Sequence, residues 1–400
     1  MSTTLDHTHF RRALDATPFL HFYEALSTRE HWTAWNGYKV AKVIDNLARE
    51  YYAIRSGCSV MDLTPMEKYR IAGQDALRFL NRLVTRDVSQ LQIGRVTYAL
   101  WCDDEGKVID DGTIFRLSEH EFRLCAQHHQ LDWLLTSALG FDVDIACETH
   151  EIAALAVQGP TSHTVLAAAG FGELEQLKPF RSVQTSFAGT PALVSRTGFT
   201  GDLGYEVWVH PAHGDALWHS LMAQRACLDV VPIGLDAMEM ARIEAGFIMP
   251  GFDFITAETA LMPEHQRSPE ELGLGWAVDL SKGPFTGRAA LAEERAQPAR
   301  RRLCKLIVGG NKAVGDAFLY KRRKGREIGV VRCSTWSPVL KANLALAELA
   351  LSDGALPSDV WAKIDYQREL AWRVAWEPCT ITSKPFYSPV HRSATPPAAY

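Results

Sequence analysis

Three glycines at a spacing of three, Gly198, Gly201 and Gly204, constrain the fold of this chain more than any other feature. A phosphate-binding glycine loop opens a helix, because the helix N-terminus supplies the N–H groups and the positive dipole. Here the glycines follow the apolar run 192–194 and precede the alternating run 205–209, so they connect two strands. The pattern predicts a hairpin whose glycines occupy positive-φ positions.

Glu206 lies two residues beyond the last of these glycines, in the returning strand. Side chains alternate along a strand, so Glu206 faces the side opposite to Tyr205 and Val207. A carboxylate that is fixed in this way can bind a ring with adjacent N–H donors. The hairpin therefore supplies the first candidate binding residue.

Length and charge limit the class of protein. The 400 residues are 47% hydrophobic and 22% charged, which is enough apolar sequence for two or three domains with buried cores. The formal net charge of −5 gives no long-range attraction to nucleic acid or to an anionic membrane. The basic runs 300–302 and 321–324 are short, and the second precedes a strand-like segment. We interpret the second run as a solvated hairpin tip.

The cysteines and the apolar runs bear on metal binding and location. The eight cysteines include no Cys-x-x-Cys pair, so a zinc site is not expected. No apolar run approaches the roughly 18 residues that indicate a membrane span, and the N-terminus has no apolar signal core. We expect a cytoplasmic protein that binds neither a metal nor a membrane.

Residues 68–84 and 153–169 share one pattern: a strand, a turn at Gly73 or Gly159, and a helix. The similarity predicts two related αβ units that resemble split βαβ halves. Duplication and chance both remain open as explanations, because a single sequence does not distinguish them.

The rest of the pattern divides the chain into regions. We expect a strand meander at 95–102, 107–115 and 121–126, helices at 130–138, 213–225 and 234–246, and a loop at 255–270. The fold class is therefore α+β. The predicted domains are two interleaved αβ domains in 1–300, a small β-rich domain in 301–390, and a disordered tail in 391–400.

Two acids and one arginine are further candidates. Asp110 and Asp111 are adjacent in a predicted strand, so one faces solvent or a partner and the other faces whatever the sheet covers. From the residues alone, a structural acceptor is favoured over a functional acid. Arg242 and Glu239 lie three residues apart on a predicted helix, and we expect them to form an ion pair on a solvated face.

Taken together, these segments resemble the superfamily of the glycine-cleavage T-protein (aminomethyltransferase), which contains tetrahydrofolate-dependent one-carbon transferases. The resemblance runs from about Trp35 to Phe386 and depends on the order and spacing of motifs that are weak one by one. The motifs are at 61–64, 73–77, 83–89, 103–111, 158–160, 196–206, 234–237, 242–246, 274–276, 285–291 and 334–340.

The resemblance implies three domains in a ring around a central tetrahydrofolate, with ferredoxin-like αβ units and a small C-terminal β-barrel domain. It matches Asp111 to the catalytic aspartate beside the reactive folate nitrogens. It matches Glu206 to the carboxylate that binds the amino group and ring N–H of the pterin. The other expected folate-binding residues are Tyr98, Gln127, Phe199 and Arg242.

Departures from the T-protein pattern fall on the donor and folate-tail sides of the expected site. Residues 64–66 read Thr-Pro-Met where a T-protein usually has Ser-His-Met, and Met238 replaces an arginine that contacts folate. The segment 255–270 is longer than its counterpart. These changes favour an enzyme that demethylates a small N-, S- or O-methyl donor and passes the methyl group to N5 of tetrahydrofolate. Loops 30–45 and 255–270 are the expected donor pocket.

Other interpretations stay open. One is the aminomethyltransferase of glycine cleavage, which requires a lipoyl carrier protein, and another is a non-catalytic folate-binding protein. A partner oxidase could also supply an oxidised one-carbon group, since the chain has no flavin motif. An aryl ether donor would need an acid for the leaving group. The candidate acids are Tyr38 and one of the pair His128 and His129.

Overall fold

The N-terminal part of the fold supplies a hairpin and the first strand of a large sheet. The structure, a computed structural model, describes residues 13–398. Asn46 begins the second helix, because its side-chain oxygen accepts a hydrogen bond from Arg49 N over 3.1 Å. The elements of this part are α1 (Leu20–Leu26), β1 (His31–Trp35), β2 (Tyr38–Val43), α2 (Leu47–Ser56) and β3 (Cys58–Asp62).

The next region is an αβ unit with an antiparallel sheet in the order β5-β6-β7-β4-β8. The expected meander forms its β5, β6 and β7. The elements are β4 (Glu67–Ala72), α3 (Ala76–Leu83), β5 (Val96–Cys102), β6 (Val108–Arg116), β7 (Glu121–Ala126), α4 (Leu131–Ser137) and β8 (Asp144–Cys147). We call this region the first αβ unit.

A second αβ unit follows, with its sheet in the order β10-β11-β12-β9-β3-β13. Strand β3 is inserted between β9 and β13, antiparallel to the former and parallel to the latter. The elements are β9 (Ala153–Gln158), α5 (Ser162–Ala168), β10 (Ser182–Phe187), β11 (Thr190–Ser195), β12 (Gly204–Val209), α6 (Gly214–Met222), α7 (Arg225–Leu228) and β13 (Val230–Pro232).

Both units begin in the same way and repeat one element order: strand, helix, meander, helix, strand. The predicted turns lie at Gly73 and Gly159, which have φ of +138° and +124°. A Cβ atom at Gly73 would overlap the backbone oxygen of Asp142, and one at Gly159 would overlap the backbone oxygen of Gly57. Each unit has one strand more than a split βαβ unit, because a meander rather than a hairpin joins its helices.

The two sheets pack against each other through one face of each. The shared cluster consists of Val96, Phe115, Cys125, Ala154, Leu193 and Trp208. Its central contact joins the rings of Phe115 on β6 and Trp208 on β12, edge to face, with centroids 5.5 Å apart. Side chains on these two faces, beyond the cluster, therefore border the space between the sheets.

The region after the second αβ unit contains α8 (Leu235–Ala245) and α9 (Arg288–Arg295). Helix α8 corresponds to the predicted helix at 234–246. The segment 255–270 is irregular, as expected, apart from a 3-10 turn at Pro263–His265. The basic run 321–324 is exposed between two strands, which agrees with a hairpin tip.

The C-terminal region forms a closed barrel in the order β14-β17-β16-β15-β18-β19. Its apolar interior includes Leu306, Leu319 and Ala347, each fully buried. The strands are β14 (Arg301–Val308), β15 (Phe318–Tyr320), β16 (Glu327–Ser337), β17 (Ala342–Ala350), β18 (Val360–Arg368) and β19 (Ala371–Thr382). The α+β class and the C-terminal barrel are therefore as predicted.

The predicted disordered tail differs from the structure through residue 398. His391 Nε2 lies 2.6 Å from Asp202 Oδ1. The guanidinium of Arg196 donates to the backbone oxygens of Arg392 and Ala394 and to the Thr395 hydroxyl. The composition of the tail gave no sign of these contacts, because the partners belong to the glycine hairpin.

Candidate functional site

The glycine hairpin is organised around the side chain of Gln158, at the end of β9. Gln158 Nε2 donates to Thr197 O over 3.2 Å and to Tyr205 O over 3.0 Å. A Cβ atom at Gly198 or Gly204 would overlap the Gln158 amide. These two glycines therefore provide space, and the expectation of positive φ is wrong for them. Only Gly201, with φ of +75°, occupies the left-handed region.

This hairpin fixes the carboxylate of Glu206 on β12. Thr197 Oγ1 donates to Glu206 Oε2 over 2.6 Å, and Ser195 Oγ donates to the same oxygen over 3.3 Å. Burial raises the pKa of Glu206 above its usual value, and the two hydroxyls oppose that rise. Within residues 13–398 no hydrogen bond reaches Oε1, so this oxygen is open to a ligand.

Phe199 packs at the edge of an apolar cluster that includes Ala156, the strand partner of Glu206. Glu206 is paired in register with Ala156, and Ala156 with Met61 on β3. Ala156, Met61 and Met238 belong to the cluster against which Phe199 packs. The Phe199 ring also stacks on Phe247, with centroids 5.6 Å apart. A flat apolar surface therefore borders Glu206.

Asp111 and Tyr98 form a hydrogen-bonded pair on the facing sheet. The Tyr98 hydroxyl donates to Asp111 Oδ2 over 2.6 Å. Burial and the neighbouring Asp110 raise the pKa of Asp111 to about 8. The Tyr98 ring stacks at 5.7 Å on Trp276, which is 64% exposed. The pair therefore joins a titratable carboxyl to a surface aromatic side chain.

Asp110 faces the other side of β6, as the alternation predicted, and is fully buried. Its Oδ1 accepts a hydrogen bond from Asp111 N and its Oδ2 accepts one from His128 N, both over 2.9 Å. His128 Nδ1 lies 3.6 Å from Asp110 Oδ1. Hydrogen bonding to Asp110 raises the pKa of His128. Asp110 is therefore a structural acceptor, and Asp111 stays the predicted functional acid.

Asp111 and Glu206 both border the space between the sheets. Asp111 lies four residues before Phe115 on β6, and Glu206 two before Trp208 on β12, so each shares a face with its member of the inter-sheet cluster. Cys125 joins the two sides. It is paired with Thr113 on β6, and the Glu206 carboxyl adds to the rise that burial causes in the pKa of its thiol.

Thr113 lies two residues from Asp111 on the same face, which is ~7 Å along the strand. The two candidate carboxyls therefore lie on opposing sheets at one end of the shared cluster.

Both predicted donor loops reach the Asp111 strand or its neighbour. Asn36, between β1 and β2, donates through Nδ2 to the backbone oxygens of Pro65 and Gln127, each over 2.9 Å. In the other loop, Ala257 N donates to Val108 O at the start of β6. Gln127, a predicted folate-binding residue, directly precedes His128, whose backbone N–H donates to Asp110 Oδ2.

Arg242, an expected folate-binding residue, has no free N–H donor in the structure. Its side chain is fully buried, and its five N–H groups donate to Glu239, Asp253 and the backbone oxygen of Phe247. The predicted ion pair with Glu239 forms, but the arginine is in the interior and not on a solvated face. A guanidinium with all its donors engaged has none for folate, so Arg242 holds the loop after α8 in place.

The other candidate acids for the leaving group have different partners. Tyr38 is 3% exposed, and its hydroxyl lies 2.5 Å from His150 Nδ1. Burial raises its pKa to about 12, which makes it a weaker acid. His129 Nδ1 lies 3.5 Å from Glu67. His128 is the candidate that lies beside Asp110 and Asp111.

Sequence reasoning missed the roles of three residues in this site. Gln158 and Trp276 were part of the family motifs, but neither was assigned a contact. The signal for Gln158 was the pair of glycines that leave space for it, whereas nothing in the sequence placed Trp276 on Tyr98. Thr197 follows Arg196 inside the glycine motif, where a hydroxyl near a strand acid was the available clue.

The described part of the chain contains neither a candidate metal cluster nor a helix that could span a membrane. Among residues 13–398, no group of three or more His, Cys, Asp or Glu side chains could hold a metal ion. Over the same part of the chain, no helix has both the length and the hydrophobicity that crossing a bilayer requires.

Known proteins resemble the chain over most of its length. The family described as the GCVT N-terminal domain matches residues 24–282. The trimethylamine-oxide aldolase of Ruegeria pomeroyi is 33% identical over 377 residues, which are 90% of this chain and 46% of that protein. The chain thus spans less than half of this relative. An aminomethyltransferase of Streptomyces coelicolor is 31% identical over 392 residues, which cover 96% of this chain and 97% of the relative.

A solved structure matches the fold. The crystal structure of the glycine cleavage system aminomethyltransferase T from Bartonella henselae superposes with a TM-score of 0.81 over 94% of this chain and 98% of that one. The sequence identity of this pair is 23%, so the likeness concerns the architecture and not the ligand.

Proposed function

The chain belongs to the GCVT family, and from this membership we propose that it is a tetrahydrofolate-dependent transferase that demethylates a small N-, S- or O-methyl donor. The observation that carries the proposal is the placement of Asp111 and Glu206 on facing sheets at one end of a shared apolar cluster. A reduced pterin has N–H donors at one end of its ring and the reactive nitrogen at the other. Two separated carboxyls suit that arrangement.

The Glu206 side of the site fits a pterin. Oε2 is already bound by the hydroxyls of Thr197 and Ser195, which fixes the carboxylate, and Oε1 is open. A charge-assisted pair of hydrogen bonds from an amino group and a ring N–H would use these oxygens. The neighbouring Phe199 and Met61 cluster provides apolar contact for a flat ring. Phe199, Tyr98 and Gln127 remain predicted binding residues.

The Asp111 side of the site fits proton transfer. When bound, tetrahydrofolate supplies N5 as the nucleophile. N5 would take up the methyl group, and the donor heteroatom would leave with the electron pair of the broken carbon–heteroatom bond. Asp111, with a pKa of about 8, can accept the proton that N5 gives up, and Tyr98 holds the carboxyl in place.

Three observations support demethylation over aminomethyl transfer from a lipoyl carrier. Pro65 and Met238 replace residues that T-proteins usually have. The loops that contain Asn36 and Ala257 both contact the Asp111 region, where they can shape a pocket for a small donor. The Ruegeria relative is named for a methylated nitrogen compound, which favours an N-methyl donor among the three classes.

The glycine-cleavage reaction is the second candidate, because the Streptomyces relative is named an aminomethyltransferase and this chain matches 97% of its length. That reaction requires a lipoyl carrier protein as partner. Transfer of an oxidised one-carbon group would require a partner oxidase. A non-catalytic folate-binding protein is the third candidate, and the pairing of Asp111 with Tyr98 argues against it.

The test is a product assay with labelled donors. The full chain is incubated with tetrahydrofolate and, in separate reactions, a methylammonium, a sulfonium, an aryl methyl ether and a lipoyl-bound aminomethyl group, each ¹³C-labelled in the transferred carbon. Mass spectrometry then distinguishes methyl- from methylene-tetrahydrofolate. We expect labelled methyl-tetrahydrofolate from one small donor and far less of it with Asp111→Asn. Methylene product from the lipoyl donor alone would instead support glycine cleavage.

A further inference from the structure

Asp110 is a buried carboxyl with three contacts and no place in the proposed reaction. Its side chain is fully buried on the core side of β6. Its two oxygens accept the backbone N–H groups of Asp111 and His128, both over 2.9 Å. The first contact holds the backbone of the reactive residue, and the second holds the chain that leaves β7. Asp110 therefore fixes the position from which the Asp111 side chain projects.

The His128 ring is oriented toward Asp110 by the loop after α8. Its Nδ1 lies 3.6 Å from Asp110 Oδ1. Gly251 has φ of +78°, and a Cβ atom there would lie 3.0 Å from His128 Nε2. The ring thus occupies a slot between Asp110 and the backbone at Gly251. A protonated His128 compensates the charge of the buried carboxylate, which has no solvent to do so.

The surroundings of Asp111 and His128 are acidic. Like charges close together resist simultaneous ionisation, so two adjacent aspartates in one apolar wall need a nearby cation if both are to be charged. Arg242 is engaged with Asp253 and Glu239, so its charge is already compensated. The titratable groups that face Asp111 or His128 are Asp110 on β6, Tyr98 on β5, Asp253 in the loop after α8, and Glu258 in the segment 255–270.

We propose that Asp110 and His128 form a positioning pair for Asp111: Asp110 fixes its backbone N–H, and the His128 ring, held against Asp110, offsets the negative charge of Asp110 beside Asp111. The pair acts through Asp111 and touches neither the donor nor the acceptor. The importance of Asp111 for turnover rests on the proposed function. The titration of Asp111 is independent of the proposed function, because it is measured in the protein without folate or donor.

The pair makes opposite predictions for its two members. Asp110→Asn removes a negative charge beside Asp111, so the pKa of Asp111 falls. His128→Gln removes a positive charge and keeps the backbone N–H, so the pKa of Asp111 rises. His129→Gln is the matched control, because His129 contacts Glu67 and is 61% exposed.

The experiment is a ¹³C NMR titration of the aspartate side-chain carboxyls in the full chain, without folate. The Asp111 resonance is assigned as the one that disappears in Asp111→Asn. We expect its midpoint to move down in Asp110→Asn and up in His128→Gln, each by at least about half a pH unit, and to stay in place in His129→Gln. Movement in the same direction in both variants, or in neither, would overturn the proposal.

A measurement on the wild-type protein keeps the proposal testable if Asp110→Asn does not fold. Two coupled groups report each other's titration, so the His128 imidazole resonances must show an inflection at the Asp111 midpoint. A single independent His128 curve would overturn the proposal. Failure of the proposed function is distinguishable from this outcome. In that case the protein would not bind folate, but the midpoint of Asp111 would still move down in Asp110→Asn and up in His128→Gln.

Discussion

Tyr98 donates its hydroxyl hydrogen to Asp111 Oδ2 over 2.6 Å, across the neighbouring strands β5 and β6. The hydrogen bond favours the ionised carboxylate, whereas burial and Asp110 favour the protonated form. The result is a carboxyl with a pKa of about 8, held in one orientation. A group that must accept a proton near neutral pH requires both properties.

Asp111→Asn should retain folate binding and lose most of the turnover, by ~100-fold or more. The amide keeps the size of the side chain and can still meet the Tyr98 hydroxyl, but it cannot accept a proton. The measurement compares kcat for the donor found in the product assay with the folate dissociation constant. Turnover equal to that of the unmodified chain would remove Asp111 from the mechanism.

The pH dependence of the reaction follows from the raised pKa of Asp111. The residue must be deprotonated to accept a proton, so kcat/KM should fall as pH decreases below about 8. This acidic limb should be absent from the residual activity of Asp111→Asn. A profile of kcat/KM between pH 5 and 9 tests this. A flat profile over that range would show that another group accepts the proton.

The same group should lower the stability of the fold at alkaline pH. Its pKa is about 8 when folded and close to 3.8 when unfolded, so the folded state resists ionisation that the unfolded state permits. The neutral form is compatible with folding below about pH 4, and the penalty grows until pH exceeds about 8. Asp111→Asn should therefore raise the melting temperature at pH 9 more than at pH 4. An equal effect at both pH values would contradict the assigned environment.

Glu206→Ala should weaken tetrahydrofolate binding by roughly 2–4 kcal/mol, because paired donors of the ligand would lose a charged acceptor. Glu206→Gln is the matched control, since it keeps the size and one acceptor oxygen. Isothermal calorimetry gives both affinities. A negligible change for Glu206→Ala, with the melting temperature unaltered, would mean that the carboxylate faces a different ligand or none.

Gly204→Ala should destabilise the protein by ~1–3 kcal/mol, because the added methyl group would overlap the Gln158 amide. The double variant Gly204→Ala/Gln158→Ala should lose less stability than the sum of the single variants. Gly201→Ala provides the control, because its cost comes from φ of +75° and from overlap with Ala245, neither of which involves Gln158, and so it should be additive with Gln158→Ala. Denaturant unfolding measures these free energies, and strict additivity for Gly204 would refute the steric explanation.

Local alternation allowed parts of this site to be predicted from the sequence. Period-two alternation placed Glu206 opposite Tyr205 and assigned Asp110 and Asp111 to different faces, and the structure agrees with both. The turns at Gly73 and Gly159 followed from strand-to-helix patterns within single units. Each of these inferences depends on neighbours only a few residues apart.

The remaining features depend on contacts between distant segments. Arg242 is unavailable because Asp253, eleven residues later, takes two of its donors. Gly198 and Gly204 are required by Gln158, about forty residues earlier, and not by their own dihedral angles. The tail is held by Arg196, nearly two hundred residues before Thr395. No local pattern contains such information, because the fold brings these partners together.

The central claim is that Asp111 and Glu206 lie at opposite ends of a reduced pterin bound between the two sheets. Calorimetric titration of the full chain with tetrahydrofolate tests it most directly. We expect saturable heat for one site per chain, retained in Asp111→Asn and strongly reduced in Glu206→Ala. Absence of both binding heat and a thermal shift in the unmodified chain would contradict the account.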